Sequence, residues 1–158
     1  MRLIYLLIPL LFTTTGVAKD SNISEIRKLY ILASQDIAKC EKLDIVTRDF
    51  TPSLNPVGYS YNIAAQIFKS KHLKNPFKKY TTFKNASKKL DYVIELNPNS
   101  TEIRFLRYLI QLNAPGFLGY NDNLFNDYNF IANHIHQEKE DLKDFILSII
   151  DISNNQKN

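Results

Sequence analysis

The sequence predicts an all-α fold, a bundle of five or six helices packed as antiparallel pairs and joined by short connections. Apolar residues recur with the period of a helix, no stretch sustains the alternation of a β-strand, and asparagine–proline pairs mark helix boundaries. With 158 residues, 44% of them hydrophobic and 23% charged, the chain suits a single globular domain with its own core.

The first 18 residues have the pattern of a secretory signal peptide. A basic start at Arg2 precedes an apolar run over residues 3–12, and small residues stand at Gly16 and Ala18. We therefore predict cleavage after Ala18 and export to the periplasm or the cell exterior. A buried N-terminal helix or a membrane anchor is the alternative, although the run is too short to span a bilayer comfortably.

The mature chain is predicted to form one helical domain over residues 19–153, followed by a polar tail over residues 154–158. No other segment is long and apolar enough to suggest a membrane-spanning helix. The formal net charge of +4 is too small to indicate a nucleic-acid partner. Cys40 is the single cysteine, so no internal disulfide can form, and we expect a buried structural thiol.

Local signals place six helices in order. Asn22 and Glu25 form a capping box for the first helix. Asparagine–proline pairs at 55–56 and 75–76 open the second and third helices, and the pair at 97–98 stops the third. The approximate predicted ranges are 22–44, 56–72, 76–96, 101–112, 122–136 and 139–152.

The fourth predicted helix has the broadest apolar arc, so neighbours are expected to contact it from several sides. Asn99 and Glu102 are predicted to form its capping box. Residues 113–116 should end it through a proline and a left-handed glycine, before a turn at Gly119 and a cap at Asn121. Its apolar arc comprises Ile103, Phe105, Leu106, Leu109, Ile110 and Leu112.

Helical stripes define the inward faces of the other helices. The first is predicted to bury Ile26, Leu29, Ala33, Ile37 and Cys40. The second and third are predicted to bury Ile63, Ala64, Ile67, Phe68, Phe83, Ala86, Leu90, Val93 and Ile94. The last two are predicted to bury Leu124, Phe125, Tyr128, Ile131, Ile135, Leu142, Phe145, Ile146 and Ile149.

Residues 77–98 resemble the second half of a tetratricopeptide repeat (TPR). Ala86 stands at its small residue, Leu90 at its aromatic position, Val93 at its second alanine and Pro98 at its closing proline. The signature of the first repeat helix is largely missing, and a solenoid needs about three stacked units. The resemblance therefore implies antiparallel helix-pair packing and not a peptide-binding superhelix.

A second resemblance covers most of the mature chain. The string NPNSTEIRFLRYLIQLNAPGFLGY, residues 97–120, is similar to a motif in a family of small, exported, uncharacterised bacterial proteins. The pattern NPF-x-K-x-x-x-F-x-x-A from Asn75 also fits that family. The resemblance implies export in a Gram-negative bacterium and a TPR-like helical fold, and it brings no activity.

No motif indicates a catalytic, metal or cofactor site. His134 and His136 are two positions apart on a predicted helix and point to different faces, whereas zinc ligands favour a spacing of four. His72 is isolated, and Cys40 lies in another helix. There is no nucleophile elbow and no glycine-rich phosphate loop.

Eight lysines and no acid lie within residues 69–89. This stretch can be a patch for an anionic envelope lipid, a glycan or an acidic partner. Lys78, Lys84, Lys88 and Lys89 lie opposite the apolar stripe of their helix, which favours a solvated face instead.

Arg104 and Arg107 share the polar stripe of the fourth helix with Gln111. Such a pair can hold a carboxylate or phosphate of a ligand, or it can pair with acids on neighbouring helices, which we favour. Phe117 and Tyr120 in the following loop can add a partner surface or tuck under the bundle.

These observations favour an exported, non-enzymatic interaction or structural module that requires no cofactor. Its partner is expected to be a protein or an envelope component. The alternatives are an envelope enzyme of unrecognised type and a binder of anionic lipid or glycan through residues 69–89.

Overall fold

The computed structural model describes residues 23–155, and side-chain environments for residues 23–150. This part of the chain is helical with no strand, so the all-α prediction is confirmed. Two 3₁₀ turns, Gly116–Leu118 and Ile135–Gln137, flank the sixth helix. The α-helices are α1 (Ile23–Ala33), α2 (Ile37–Thr47), α3 (Pro56–Lys71), α4 (Pro76–Leu96), α5 (Thr101–Asn113), α6 (Leu124–His134) and α7 (Glu140–Asn155).

The first predicted helix is two helices in the structure. Asp36 stands at the N-cap of α2, and its carboxylate accepts hydrogen bonds from the amides of Ala38 and Lys39 at 2.8 and 3.2 Å. An aspartate is a better cap than a mid-helix residue, so the chain breaks there. Ala33 and Cys40 are buried on either side of the break, and Ile37 at the break is 40% exposed.

The asparagine–proline signals predicted the starts of α3 and α4 correctly. The Asn55 side chain accepts from the amide of Gly58 at 2.8 Å, and the Asn75 side chain accepts from the amide of Lys78 at 3.0 Å. Asn97 is the C-cap of α4, as predicted. At the two ends of the chain, Asn22 and the signal-peptide cleavage site lie outside the described residues, and α7 continues to Asn155, beyond its predicted end.

The predicted capping box of α5 is wrong. Ser100, directly before the first helical residue, is the N-cap, and its hydroxyl accepts from the amide of Ile103 at 3.4 Å. Glu102 is buried and binds other side chains, so it cannot close a box with Asn99.

The loop after α5 also differs from the prediction. Gly119 is the described glycine with a positive φ, 55°, whereas Gly116 opens a 3₁₀ turn. Asn123, and not Asn121, stands at the N-cap of α6, without a side-chain capping bond.

Helices α3 and α5 hold the bundle together. Helix α3 packs against α1, α2, α4 and α5, and α5 packs against α3, α4 and α6. Phe145 of α7 meets Phe105 of α5 edge to face, with ring centroids 5.8 Å apart. Helix α5 is therefore contacted from several sides, as its apolar arc predicted. The largest fully buried apolar side chains are Tyr61, Phe105, Leu43, Ile63, Leu90, Ile103, Leu106, Ile146 and Val93.

Helix α6 turns a different face to the core than its apolar stripe predicts. Phe125 is 74% exposed and Tyr128 is 48% exposed, although both were expected inside. Asp127, between them, is fully buried. Ile131 and Ile135 are buried as predicted. The position of Asp127 is explained by the arginines of α5, described below.

Candidate functional site

Arg107, one of the predicted site residues, is buried and paired with acids. Its Nε and Nη2 donate to both carboxylate oxygens of Asp127 on α6, at 2.6 and 2.8 Å. Its Nη1 donates to Asp91 on α4 at 3.1 Å. Burial alone would lower the pKa of Arg107, but the hydrogen bonds and charges of the two aspartates outweigh it and raise that pKa.

Arg104 and Tyr120 complete this arrangement, which we call the arginine–aspartate cluster. Arg104 donates from Nη1 to Asp127 at 2.9 Å and from Nε to the carbonyl oxygen of Pro98 at 2.7 Å. The Tyr120 hydroxyl donates to Asp91 at 2.9 Å. Burial and the Asp91 carboxylate raise the pKa of Tyr120. The cluster contains two arginines and two aspartates, so its formal charges balance.

The structure brings Arg104, Arg107 and Tyr120 of the predicted ligand surface together and buries all of them but Arg104, which is partly exposed. Arg107, Gln111 and Tyr120 are 6%, 3% and 9% exposed. The Gln111 amide has no hydrogen-bond partner among the described residues. Phe117 is 82% exposed and lies in a different surface region, treated below. The preferred interpretation, pairing of both arginines with acids on neighbouring helices, matches the geometry.

A second buried charge network was not predicted. Arg27 of α1 binds both carboxylate oxygens of Glu102 at 2.8 Å and donates to Asp141 of α7 at 2.7 Å. The Tyr61 hydroxyl donates to Glu102 at 2.7 Å. The sequence contained one signal for this network, because Arg27 directly follows the inward-facing Ile26. Its partner was missed because Glu102 was predicted to cap the fourth helix. This network ties α1, α3, α5 and α7 together.

One feature with the shape of a ligand site is an apolar cleft at one end of the bundle, where α1, α3 and α5 end and α4 begins. It has a volume of about 690 Å³. Its floor is made of buried side chains from four helices: Tyr30, Ile67, Phe68, Phe83, Leu109 and Ile110.

Ring contacts join the aromatic side chains of the floor to one another and to neighbouring rings. The Tyr30 ring packs on Phe68 and Tyr61, with centroids 5.3 and 5.4 Å apart. The Phe83 ring meets Tyr120 edge to face at 5.8 Å. Tyr120 also belongs to the arginine–aspartate cluster, so the cluster supports one wall of the cleft.

The rim of the apolar cleft is exposed and carries both apolar and basic groups. Phe117 and Tyr80 are 82% and 43% exposed. Lys71 and Lys79 also line the cleft, whereas no acidic residue of the described part of the chain does. The loop that carries Phe117 is fixed by Lys84, whose ammonium donates to the carbonyl oxygen of Leu118 at 3.0 Å.

Of the four lysines predicted on the solvated face, three are exposed and Lys84 is not. Lys69 pairs with Asp44 at 3.0 Å, and Lys89 donates to Gln66 at 3.3 Å. Lys84, expected on the solvated arc, is half-buried because its ammonium reaches the loop after α5. Lys78, Lys88 and Lys89 are exposed as predicted.

The remaining candidate residues occupy structural positions. Cys40 is fully buried, its thiol donates to the carbonyl oxygen of Ala65 at 3.3 Å, and burial raises its pKa. His134 Nδ1 lies 2.8 Å from the carbonyl oxygen of Phe130. Within the described residues, no group of three or more His, Cys, Asp or Glu side chains is placed to hold a metal ion.

No helix within residues 23–155 is long and apolar enough to cross a membrane. Comparison with known proteins adds no relative: no family model matches the chain, and no curated protein or solved structure is significantly similar to it.

Proposed function

We propose that this protein is an exported, non-enzymatic helical module that binds an apolar ligand in the apolar cleft. The cleft is the observation that carries the proposal. Its volume of about 690 Å³ lies within the roughly 300–1,000 Å³ of small-molecule sites. Exposed aromatic and aliphatic side chains at the rim of a concave apolar surface are typical of a binding site.

The chemistry of the cleft supports binding over catalysis. Among the described residues, its lining contains no acid, histidine or cysteine. Ser34 and Ser70 both line it, but their hydroxyls donate to backbone carbonyls within α1 and α3, at 2.8 and 2.6 Å. Nucleophilic catalysis by a serine needs an adjacent base, and neither serine has a hydrogen bond to one among the described residues.

Binding of the neutral fluorescent probe N-phenyl-1-naphthylamine to the full-length protein tests the proposal. The chain has no tryptophan, so its own fluorescence interferes little. Phe117→Ala removes an exposed rim ring and should weaken probe binding about fivefold. Phe125→Ala is the matched control, because Phe125 is 74% exposed on α6 and does not line the cleft. Absence of probe binding, or equal weakening by both variants, would refute the proposal.

The export part of the proposal rests on the N-terminal sequence pattern. We expect cleavage after Ala18, so that the mature chain begins at Lys19. Intact mass spectrometry of protein recovered from the periplasm or the medium measures this directly. Recovery of the full-length mass from either fraction would contradict cleavage.

A further inference from the structure

We infer that the apolar cleft takes a free single-chain amphiphile with an anionic head group, its alkyl chain on the apolar floor and its head group at Lys71 and Lys79. This inference rests on the function proposed above and specifies the class of ligand.

Charge complementarity at the rim carries the inference. Lys71 lies in the last turn of α3 and Lys79 near the start of α4, and both line the cleft. Neither ammonium has a carboxylate partner among the described residues, whereas Lys69 of the same region is paired with Asp44. An anionic head group would supply the missing counter-charge for both.

The surroundings of Lys71 also support an anionic head group at this position. Its ammonium lies 5.3 Å from the centre of the Phe68 ring, a buried side chain of the floor. Although the lysine reaches solvent, desolvation by the apolar atoms around its ammonium lowers its pKa. A bound anion would favour the charged form, so the site is arranged for a negative ligand at the edge of an apolar surface.

The dimensions favour a small amphiphile over a protein partner. A stable protein interface buries about 800 Å² on each partner, and the surface within the cleft is a fraction of that. The floor is largely apolar, as an alkyl chain requires: its polar groups are the Tyr30 hydroxyl and the buried Ser70 hydroxyl, which donates to the carbonyl oxygen of Ile67.

The test compares three ligands of equal chain length on the full-length protein: dodecanoate, dodecanol and dodecyltrimethylammonium. Each is used below its micellar concentration to displace N-phenyl-1-naphthylamine. We expect dodecanoate to bind about tenfold more tightly than the other two, the ratio that one charge-assisted contact supplies. Equal affinities of the three ligands would overturn the inference while leaving the apolar site intact. Loss of probe binding altogether would refute the proposed function itself.

Variants locate the head group. The double variant Lys71→Gln/Lys79→Gln should lose the preference for dodecanoate and keep its affinity for dodecanol. Lys74→Gln/Lys88→Gln is the matched control, because both lysines are exposed and neither lines the cleft. A preference for dodecanoate that survives in the first variant would contradict the assignment. So would binding to vesicles of anionic phospholipid without displacement of the probe by dodecanoate, because the partner would then be a membrane surface.

Discussion

The arginine–aspartate cluster makes Arg107→Ala the most informative single substitution. In the folded protein the Asp127 carboxylate is fully buried and accepts two hydrogen bonds from Arg107, at 2.6 and 2.8 Å, and one from Arg104 at 2.9 Å. Truncation at position 107 leaves Asp127 Oδ2 without its guanidinium donor. Asp91 loses a donor as well, and Tyr120 remains as its partner.

Breaking one side of a buried ion pair costs about 3–5 kcal/mol, because the remaining charge stays buried without compensation. A single domain is stable by about 5–15 kcal/mol, so this loss is a large fraction of the total. We expect Arg107→Ala to lower the free energy of unfolding by about 3–5 kcal/mol. Arg104→Ala should cost about 1–2 kcal/mol, because its guanidinium makes a single bond to Asp127 and is partly solvated.

Urea unfolding monitored by circular dichroism at neutral pH measures both variants. Arg48→Ala is the control, because Arg48 is exposed, and its loss should change stability by less than about 0.5 kcal/mol. If Arg107→Ala does not fold, Arg107→Met/Asp127→Leu still tests the argument, since it removes the fully buried carboxylate together with its main partner, and the two side chains that then lose a partner, Arg104 and Asp91, reach solvent. An Arg107→Ala variant as stable as Arg48→Ala, or a double variant less stable than Arg107→Ala, would refute the reasoning.

Three further predictions follow from single contacts. Lys84→Gln should cost about 1–2 kcal/mol because it removes a charged donor from Leu118, whereas Lys88→Gln should cost under about 0.5 kcal/mol; equal urea midpoints would contradict this. Asp36→Ala should cost about 0.5–2 kcal/mol through loss of the α2 cap, and Asp36→Asn should restore most of it in the same assay. Burial raises the pKa of Tyr30, so stability is retained below the ordinary tyrosine pKa of about 10 and falls as pH rises above it. Tyr30→Phe should reduce that fall in urea titrations from pH 8 to about 11, while Tyr61 and Tyr120, whose pKa is also raised, keep part of it; an unchanged slope would count against a buried neutral phenol at position 30.

Local signals in the sequence predicted most helix boundaries, because they depend on neighbouring residues alone. The asparagine caps at Asn55 and Asn75 are examples. The break at Asp36 was missed because Ala33 and Cys40 keep one helical stripe across it. The periodic stripe involves several residues and predicts one continuous helix, whereas the break depends on the cap formed by Asp36 alone.

Which face of α6 is buried could not be predicted from the sequence of α6 alone. Its apolar residues Phe125 and Tyr128 indicated one face, but Asp127 was drawn inward by two arginines on α5. The inward face of this helix is set by ion pairs between residues that are distant in the sequence. Asp127 lies 20 positions after Arg107 and 23 positions after Arg104. The apolar cleft could not be predicted from the sequence either, because it is formed where the ends of α1, α3 and α5 meet in space.

The distribution of acids explains why the open end of the bundle is basic. Arg27 is paired with Glu102 and Asp141, and Arg107 with Asp127 and Asp91, so four acids are committed to the two most buried arginines. No acid occurs in residues 69–89, where eight lysines lie. Of these, Lys71 and Lys79 lie at the cleft without a carboxylate partner within the described chain. These two lysines place unpaired positive charge where the apolar surface opens, an arrangement that attracts anions to the cleft before any contact is made.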